Sequence, residues 1–478
     1  MLYQELLRLF IIEIHKYRLS WIITYFMVPC SKLLLFFKLI PVALLITNII
    51  SFTSLNAADG VPLINDPNLK VEIVATGLDF PTTMALYGTD DALVLEKNTG
   101  NVIRIQNGSE FNSPLLSLNV ANQSERGLLG ITVTEKQQRN ASEPRYVFLY
   151  FTETDVKNAS EVLGNRLYRY ELIDNNSKMV NPKLILSLPY LPGHSHNGGA
   201  LKIGPDKKSL YLAVGDVNSR YSLTQNVKGG QVIDGRGGIL RVTFDGEVVG
   251  GKGILGDNQS LSRYYAYGIR NSFGMDFDPI TGKLWDTENG PGFGDEINLV
   301  EPGFNSGWKK VQGIWTVTED ELRGVLASKK PNNLIQFDGT GKYSTPEFIW
   351  NRSVGVTALK FLDSDKLGKK YQNDLFVGDF HKGNLYHFDL NTKRTKLLLH
   401  DSLQDKIANN PKELQKADII FGEGFGGITD IEVGPTDGYL YVLSINQGGG
   451  DCQKVNKPNC IQYNSAITGT IFRIVPAR

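Results

Sequence analysis

The chain has 478 residues, enough for two or three average domains or one large all-β domain. Its 50 basic and 50 acidic residues cancel, which excludes the charge field that nucleic acid or an anionic membrane surface would require of a partner. With 49 glycines and 10% aromatic residues, the composition favours many short strands and tight turns over helices, and order is expected everywhere beyond the N-terminus.

Residues 1–57 differ from the rest. Leu33–Ile50 is nearly all apolar, broken by Lys38 and Pro41 and preceded by Lys32, and Ser51–Ala58 is small and polar. The order reads as the n-region, h-region and cleavage site of a signal peptide. A start at Met27 would give this leader signal-peptide proportions without the segment before it. The alternative is an uncleaved N-terminal membrane anchor, because the apolar run is nearly long enough to span a bilayer. Residues 58–478 then form the exported domain. Cys30 stays with the leader, and Cys452 and Cys460 are expected to close a short loop as a disulfide. No Cys-x-x-Cys pattern points to zinc. Seven Asn-x-Ser sequons, at Asn107, Asn122, Asn140, Asn158, Asn175, Asn258 and Asn351, fit a glycosylated surface.

From about Pro62 one pattern recurs: an alternating apolar strand, a Gly/Asp/Pro/Asn turn, then a strand rich in Leu, Tyr and Val. The copies are Thr82–Glu96; Leu128–Val133 with Tyr146–Tyr150; Gly199–Asp206 with Leu210–Val214; Phe273–Pro279 with Lys283–Trp285; Val356–Phe361 with Asp374–Val377; and Thr429–Val442. A third strand follows four of them, at Val102–Ile105, Arg166–Tyr170, Gly238–Val242 and Asn384–Phe388. Radial repetition of such units predicts a six-bladed β-propeller of four-stranded antiparallel sheets. Lys70–Thr76 is expected to close the ring beside Thr470–Val475. The longest insert, Gly313–Thr345, holds one helical candidate, Thr318–Ala327.

Long loops on a rigid scaffold are where sites are built. His196 lies in a tight polar turn, Leu191-Pro-Gly-His-Ser-His-Asn-Gly-Gly199, at a strand entrance. It reads either as a general base or as a structural histidine bonded to its own turn. His381 occupies an equivalent turn in the fifth unit, and His387 alternates within a strand and reads as packing. Between Tyr267 and Trp308 come Arg270, a cationic fork able to face a planar anion, and the Gly290-Pro291 corner. The carbonyls of such a corner cannot join a ladder and are hard oxygen donors suited to Ca²⁺. Its alternative is a surface loop with an ordinary salt bridge.

Six motifs resemble, in order, the glucose/sorbosone dehydrogenase family: Glu125-Arg-Gly-Leu-Leu-Gly130; His196-Asn-Gly-Gly199 with Ile203-Gly-Pro-Asp206; Tyr267-Gly-Ile-Arg-Asn271; Glu288-Asn-Gly-Pro291; Asp295-Glu-Ile-Asn-Leu-Val300; and Asp430–Val442. The resemblance covers essentially everything after the leader. It implies an exported six-bladed propeller that binds pyrroloquinoline quinone (PQQ) with Ca²⁺, oxidises aldose sugars to lactones and passes electrons to an external acceptor. It casts His196 as the base, Arg270 as the group over the quinone oxygens and Asn271 as its neighbour in the cofactor pocket. Gly290 and Pro291 become the Ca²⁺ ligands, Glu125 lies near the cofactor, and His381 or Lys382 meets a PQQ carboxylate.

One departure stands out. Gly426-Gly-Ile-Thr429 occupies the place where members with well-formed PQQ sites carry arginines, leaving Lys382, Arg126 or Arg220 to compensate. Two other readings therefore stay open: a non-catalytic propeller binding a glycan or a protein, and a Ca²⁺-dependent lactone hydrolase.

Overall fold

The computed structural model describes residues 61–477, apart from 89–90, 111–112, 136–143, 158–160, 174–176, 218–223, 228–231, 259, 318–323, 327–332 and 446–467. The leader, Cys452, Cys460 and Arg220 lie outside the described residues. No helix among the described residues is long and apolar enough to cross a membrane.

The protein is all-β with a propeller arrangement, and the predicted strand pairs form where the alternation placed them. Pro81–Gly88 pairs with Asp91–Glu96, Leu128–Val133 with Arg145–Thr154, and Leu201–Ile203 with Ser209–Val214. Ser272–Phe277 pairs with Leu284–Glu288, Val356–Phe361 with Leu375–Asp379, and Gly427–Val433 with Leu440–Ile445, all antiparallel. The first strand of each pair lies innermost and meets that of the next pair, and Gly427–Val433 returns to Pro81–Gly88. Lys70 pairs with Val475 and Thr76 with Thr470, so the first long strand closes the sheet that the last strand belongs to.

The core lies between neighbouring sheets. Leu93 and Leu95 pack on Val147 and Phe151, and Phe148 and Tyr150 on Leu210 and Leu212. Further round, Ala213 packs with Met275, Trp285 with Val356 and Phe361, Phe376 with Ile431, and Leu443 with Val94. A second strand covered on both faces reads as a continuous apolar run rather than an alternating one, and Ser209–Val214 and Leu440–Ile445 are buried at every residue. The intervening turns repeat one device. Asp206 Oδ1 accepts from the Lys208 and Ser209 amides at 3.0 and 2.9 Å, and Asp278 Oδ1 from Ile280 N at 3.1 Å.

Two expectations are corrected. The sheets are not uniformly four-stranded and antiparallel. The third carries Phe304–Asn305 and Lys342–Tyr343 as added parallel strands, and the fourth adds Ile407–Ala408 in parallel. Long inserts return to the outer edge of a sheet and satisfy unpaired backbone groups there. The helix expected over Thr318–Ala327 is not what its described part forms. Gly324–Leu326 is a strand paired with Trp315–Val317, in a small sheet with Val311–Gln312.

Candidate functional site

The third and fourth sheets build the centre of the site through their backbones. At the end of Ser209–Val214 the chain turns through Gly215-Asp216. Asp216 N donates to Arg270 O at 2.9 Å, and Val217 N to His196 O at 3.1 Å. A Cβ on Gly215 would lie 2.3 Å from His196 O and 2.8 Å from Arg270 O. Only glycine lets these two segments close on each other.

The His196 side chain, 12% exposed, places Nδ1 2.6 Å from Asp216 Oδ1. Asp216 Oδ2 accepts from the Trp308 indole N–H at 2.7 Å, and the Trp308 ring lies 5.3 Å beneath the Arg270 guanidinium. Burial alone would push the Asp216 carboxyl up. His196, Arg270 and the indole donor together hold it below its ordinary value, so it is ionised at neutral pH. An ionised Asp216 accepts from Nδ1–H, and the lone pair of His196 is left on Nε2. The His196 ring is bonded to a carboxylate from another loop, not to its own turn.

That turn is strained and braced. His196 has φ +60°, and its amide donates to Glu125 Oε2 at 2.7 Å. The same oxygen accepts from Asn271 Nδ2 at 3.1 Å, while Asn271 Oδ1 accepts from Gly198 N at 3.1 Å. Glu125 and Asn271 thus tie the His196 turn to the Arg270 segment.

Arg270 is held at both ends. Its amide donates to Glu288 Oε1 at 2.8 Å, and Nη1 donates to Asn289 O at 2.9 Å. Its Nε is buried without a hydrogen-bond partner. Asn289 opens the Gly290-Pro291 corner. Gly290 N donates to Asp295 Oδ1 at 2.9 Å, and Asp295 also receives the amides of Val354 and Gly355, both at 2.8 Å. The His381 ring covers Gly355, and His381 N donates to Val354 O at 3.1 Å. His381 and Lys382 are exposed, and Asp379 Oδ1 fixes their turn by accepting from Lys382 N at 2.7 Å. An unbroken series of contacts therefore joins His196, Asp216, Trp308, Arg270, Gly290, Gly355 and His381.

The compensating cations divide. Arg126 is committed to the carbonyls of Tyr190 and Gly193, at 2.6 and 3.0 Å. Lys382 remains exposed beside the sixth sheet. The glycines at 426–427 have local reasons: Gly426 has φ +79°, and a Cβ on Gly427 would lie 3.0 Å from Ile445 Cγ1 and 3.1 Å from the Phe380 ring. The fifth-sheet turn occupies the ground that large side chains there would need.

Sequence reasoning missed Asp216, Trp308 and Glu288. A signal existed for Asp216. Val214-Gly-Asp216 and Val377-Gly-Asp379 end equivalent buried strands, and both aspartates fix a histidine-bearing turn. Trp308 bounded the informative stretch, but nothing in its spacing assigns it a partner. Glu288 is fully buried, and burial together with Glu296 and Asp286 pushes its carboxyl well up.

The site thus sets a carboxylate-backed imidazole beside a half-buried guanidinium on a propeller. The family model for glucose/sorbosone dehydrogenase matches residues 78–453, and the chain belongs to that family. It is 26% identical over 395 residues to the aldose sugar dehydrogenase YliI of Escherichia coli K12, covering 82% of this chain and 94% of that one. It is 29% identical over 268 residues to quinoprotein glucose dehydrogenase B of Acinetobacter calcoaceticus, covering 52% of this chain and 53% of that protein. The PQQ-bound aldose sugar dehydrogenase of Streptomyces coelicolor shares the fold, with TM-score 0.57 and 21% identity over 86% of this chain and 99% of that one.

Proposed function

We propose that residues 58–478 form an exported, PQQ-dependent, Ca²⁺-requiring dehydrogenase that oxidises aldose sugars to lactones and passes the electrons to an external acceptor. The observation that carries this is the meeting of His196 and Arg270 on Asp216 and Trp308. Six inner strands in mutual contact support reading the ring as six-bladed. The leader supports export.

The residues present suit the cofactor. Arg270 has a buried, unpartnered Nε suited to an anionic or carbonyl oxygen, and Lys382 is free in solvent to meet a carboxylate. The carbonyls of Gly290 and Pro291 are the oxygen donors Ca²⁺ takes. When bound, PQQ supplies the two-electron acceptor and Ca²⁺ the Lewis acid.

The chain's own residues do the rest. His196 Nε2 takes the proton of the anomeric hydroxyl as the anomeric hydrogen departs with its electron pair, leaving the lactone. Asp216 stabilises the imidazolium that forms and keeps the ring in register. Arg270 opposes negative charge developing across the pocket, and Trp308 fills the space beneath it. Glu125 and Asn271 hold the base and the guanidinium at a fixed separation.

The test is reconstitution. The purified chain is loaded with PQQ and CaCl₂, and dye reduction is followed with a panel of aldoses. Sugar-dependent turnover with a bound-quinone absorbance is expected. No turnover together with no bound quinone would refute the reading. Bound quinone without turnover on any sugar would refute the substrate class.

A further inference from the structure

The fifth sheet carries a second constellation, at the end of its hairpin remote from His381. His387 lies in strand Leu385–Phe388, opposite Phe376 of strand Leu375–Asp379. Asp374 immediately precedes one strand, and Asp389 follows the other. Side chains alternate along strands, so Asp374, Phe376, His387 and Asp389 share one face. His387 Nε2 lies 3.1 Å from Asp374 Oδ2 and 3.5 Å from Asp389 Oδ1, and one ligand atom from each residue lies within 4.8 Å of the other two.

The ring is held by packing rather than by chance. Tyr371 meets it edge-on at 5.0 Å, and Phe376 and Phe421 lie at 5.1 and 6.3 Å. The sequence reading of His387 as a packing residue is half right: its ring body packs, and its Nε2 edge faces two carboxylates. Asp374 and His387 are largely buried, while the Asp389 side chain is 52% exposed and leaves the constellation open to solvent. Asp389 feels a second imidazole, His400, two residues beyond the Leu398 amide that donates to Asp389 O at 2.8 Å.

We propose that Asp374, His387 and Asp389 form a peripheral binding site for a divalent transition-metal ion of the Zn²⁺ class, with a solvent-open fourth position. Three physical points converge. First, ligands about 2.0–2.1 Å from a metal stand roughly 2.9 Å apart in an octahedron and about 3.4 Å apart in a tetrahedron. The two separations from His387 already fall near that range. Second, two carboxylates facing each other across adjacent strands repel, and one imidazole cancels at most half their charge. Third, an imidazole nitrogen among the ligands selects Zn²⁺, Co²⁺ or Ni²⁺ over Ca²⁺ and Mg²⁺, which take oxygen. The His196 site is not involved.

The competing account of the same geometry is a protonated His387 paired with both carboxylates and no metal. Calorimetric titration of the chelator-stripped, tag-free full chain with ZnCl₂, in excess CaCl₂ to fill oxygen-only sites, separates them. One saturable equivalent is expected, weakened at least tenfold to hundredfold in Asp389→Asn and lost in His387→Gln. Co²⁺ should give a visible absorption band in the wild type that Asp389→Asn removes. Asp389 is half-exposed, so that variant keeps the fold, as circular dichroism would verify. The proposal is overturned if the wild type shows no saturable Zn²⁺ binding, or if both variants bind as tightly as the wild type.

Discussion

Replacing Asp216 by asparagine tests the site at its least legible residue. Both groups that meet the carboxylate are donors: His196 Nδ1–H at 2.6 Å and Trp308 Nε1–H at 2.7 Å. An amide offers one acceptor oxygen and one donor nitrogen, so one contact becomes donor against donor. If the oxygen stays with Trp308, His196 must present a bare Nδ1 to the new NH₂, which moves its proton to Nε2 and abolishes the base. If the oxygen stays with His196, the indole loses its acceptor, and the imidazolium loses the charge that stabilised it. The first outcome removes general-base catalysis worth about 10²–10⁴ in rate, or roughly 3–5 kcal/mol in the barrier, and the second weakens it. The assay is steady-state dye reduction on the PQQ- and Ca²⁺-loaded variant, with cofactor affinity measured separately. The expected result is a kcat lowered by that factor with PQQ binding largely kept. A kcat within about threefold of wild type, at normal cofactor occupancy, would refute the assignment of Asp216 to His196.

Three further outcomes are expected. Trp308→Phe keeps a ring under Arg270 but deletes the donor to Asp216, and should lower kcat by about tenfold to hundredfold, the worth of one hydrogen bond to a charged group; unchanged kinetics would remove the indole from the mechanism. In Gly215→Ala the new Cβ meets backbone oxygens at 2.3 and 2.8 Å, so the His196 and Arg270 segments must part. This variant should lose about 1–3 kcal/mol by thermal melting and most of its turnover. Asp430 supplies the pH test: burial first, and Glu432 second, push its carboxyl up to about 7. Since the folded value lies above the unfolded one, this group favours folding most at low pH, and its contribution is lost as pH rises from about 4 to about 7. Asp430→Asn should therefore gain stability relative to wild type across that window and hold the gain above it, as melts at a series of pH values would show.

The paired strands of the six repeat units were determined by the sequence alone, because alternation and turn chemistry are local, whereas the strands that the inserts add at sheet edges were not. A run such as Leu210-Tyr-Leu-Ala-Val214 has one stable use between two covering sheets, and the Asp206 and Asp278 turns are written in residues two and three apart. The residues proposed as the base, the guanidinium and the glycine-proline corner could also be named from the sequence, since each sits in a loop with its own motif. What joins them was not. Asp216 and Trp308 are 92 residues apart, and neither carries a local mark of the other. His387 looked like packing because its ring does pack; only the pairing of Leu375–Asp379 with Leu385–Phe388 brings Asp374 and Asp389 to its nitrogen. Sequence period fixes which face a side chain takes, but which distant side chain shares that face is decided when the sheets close against one another.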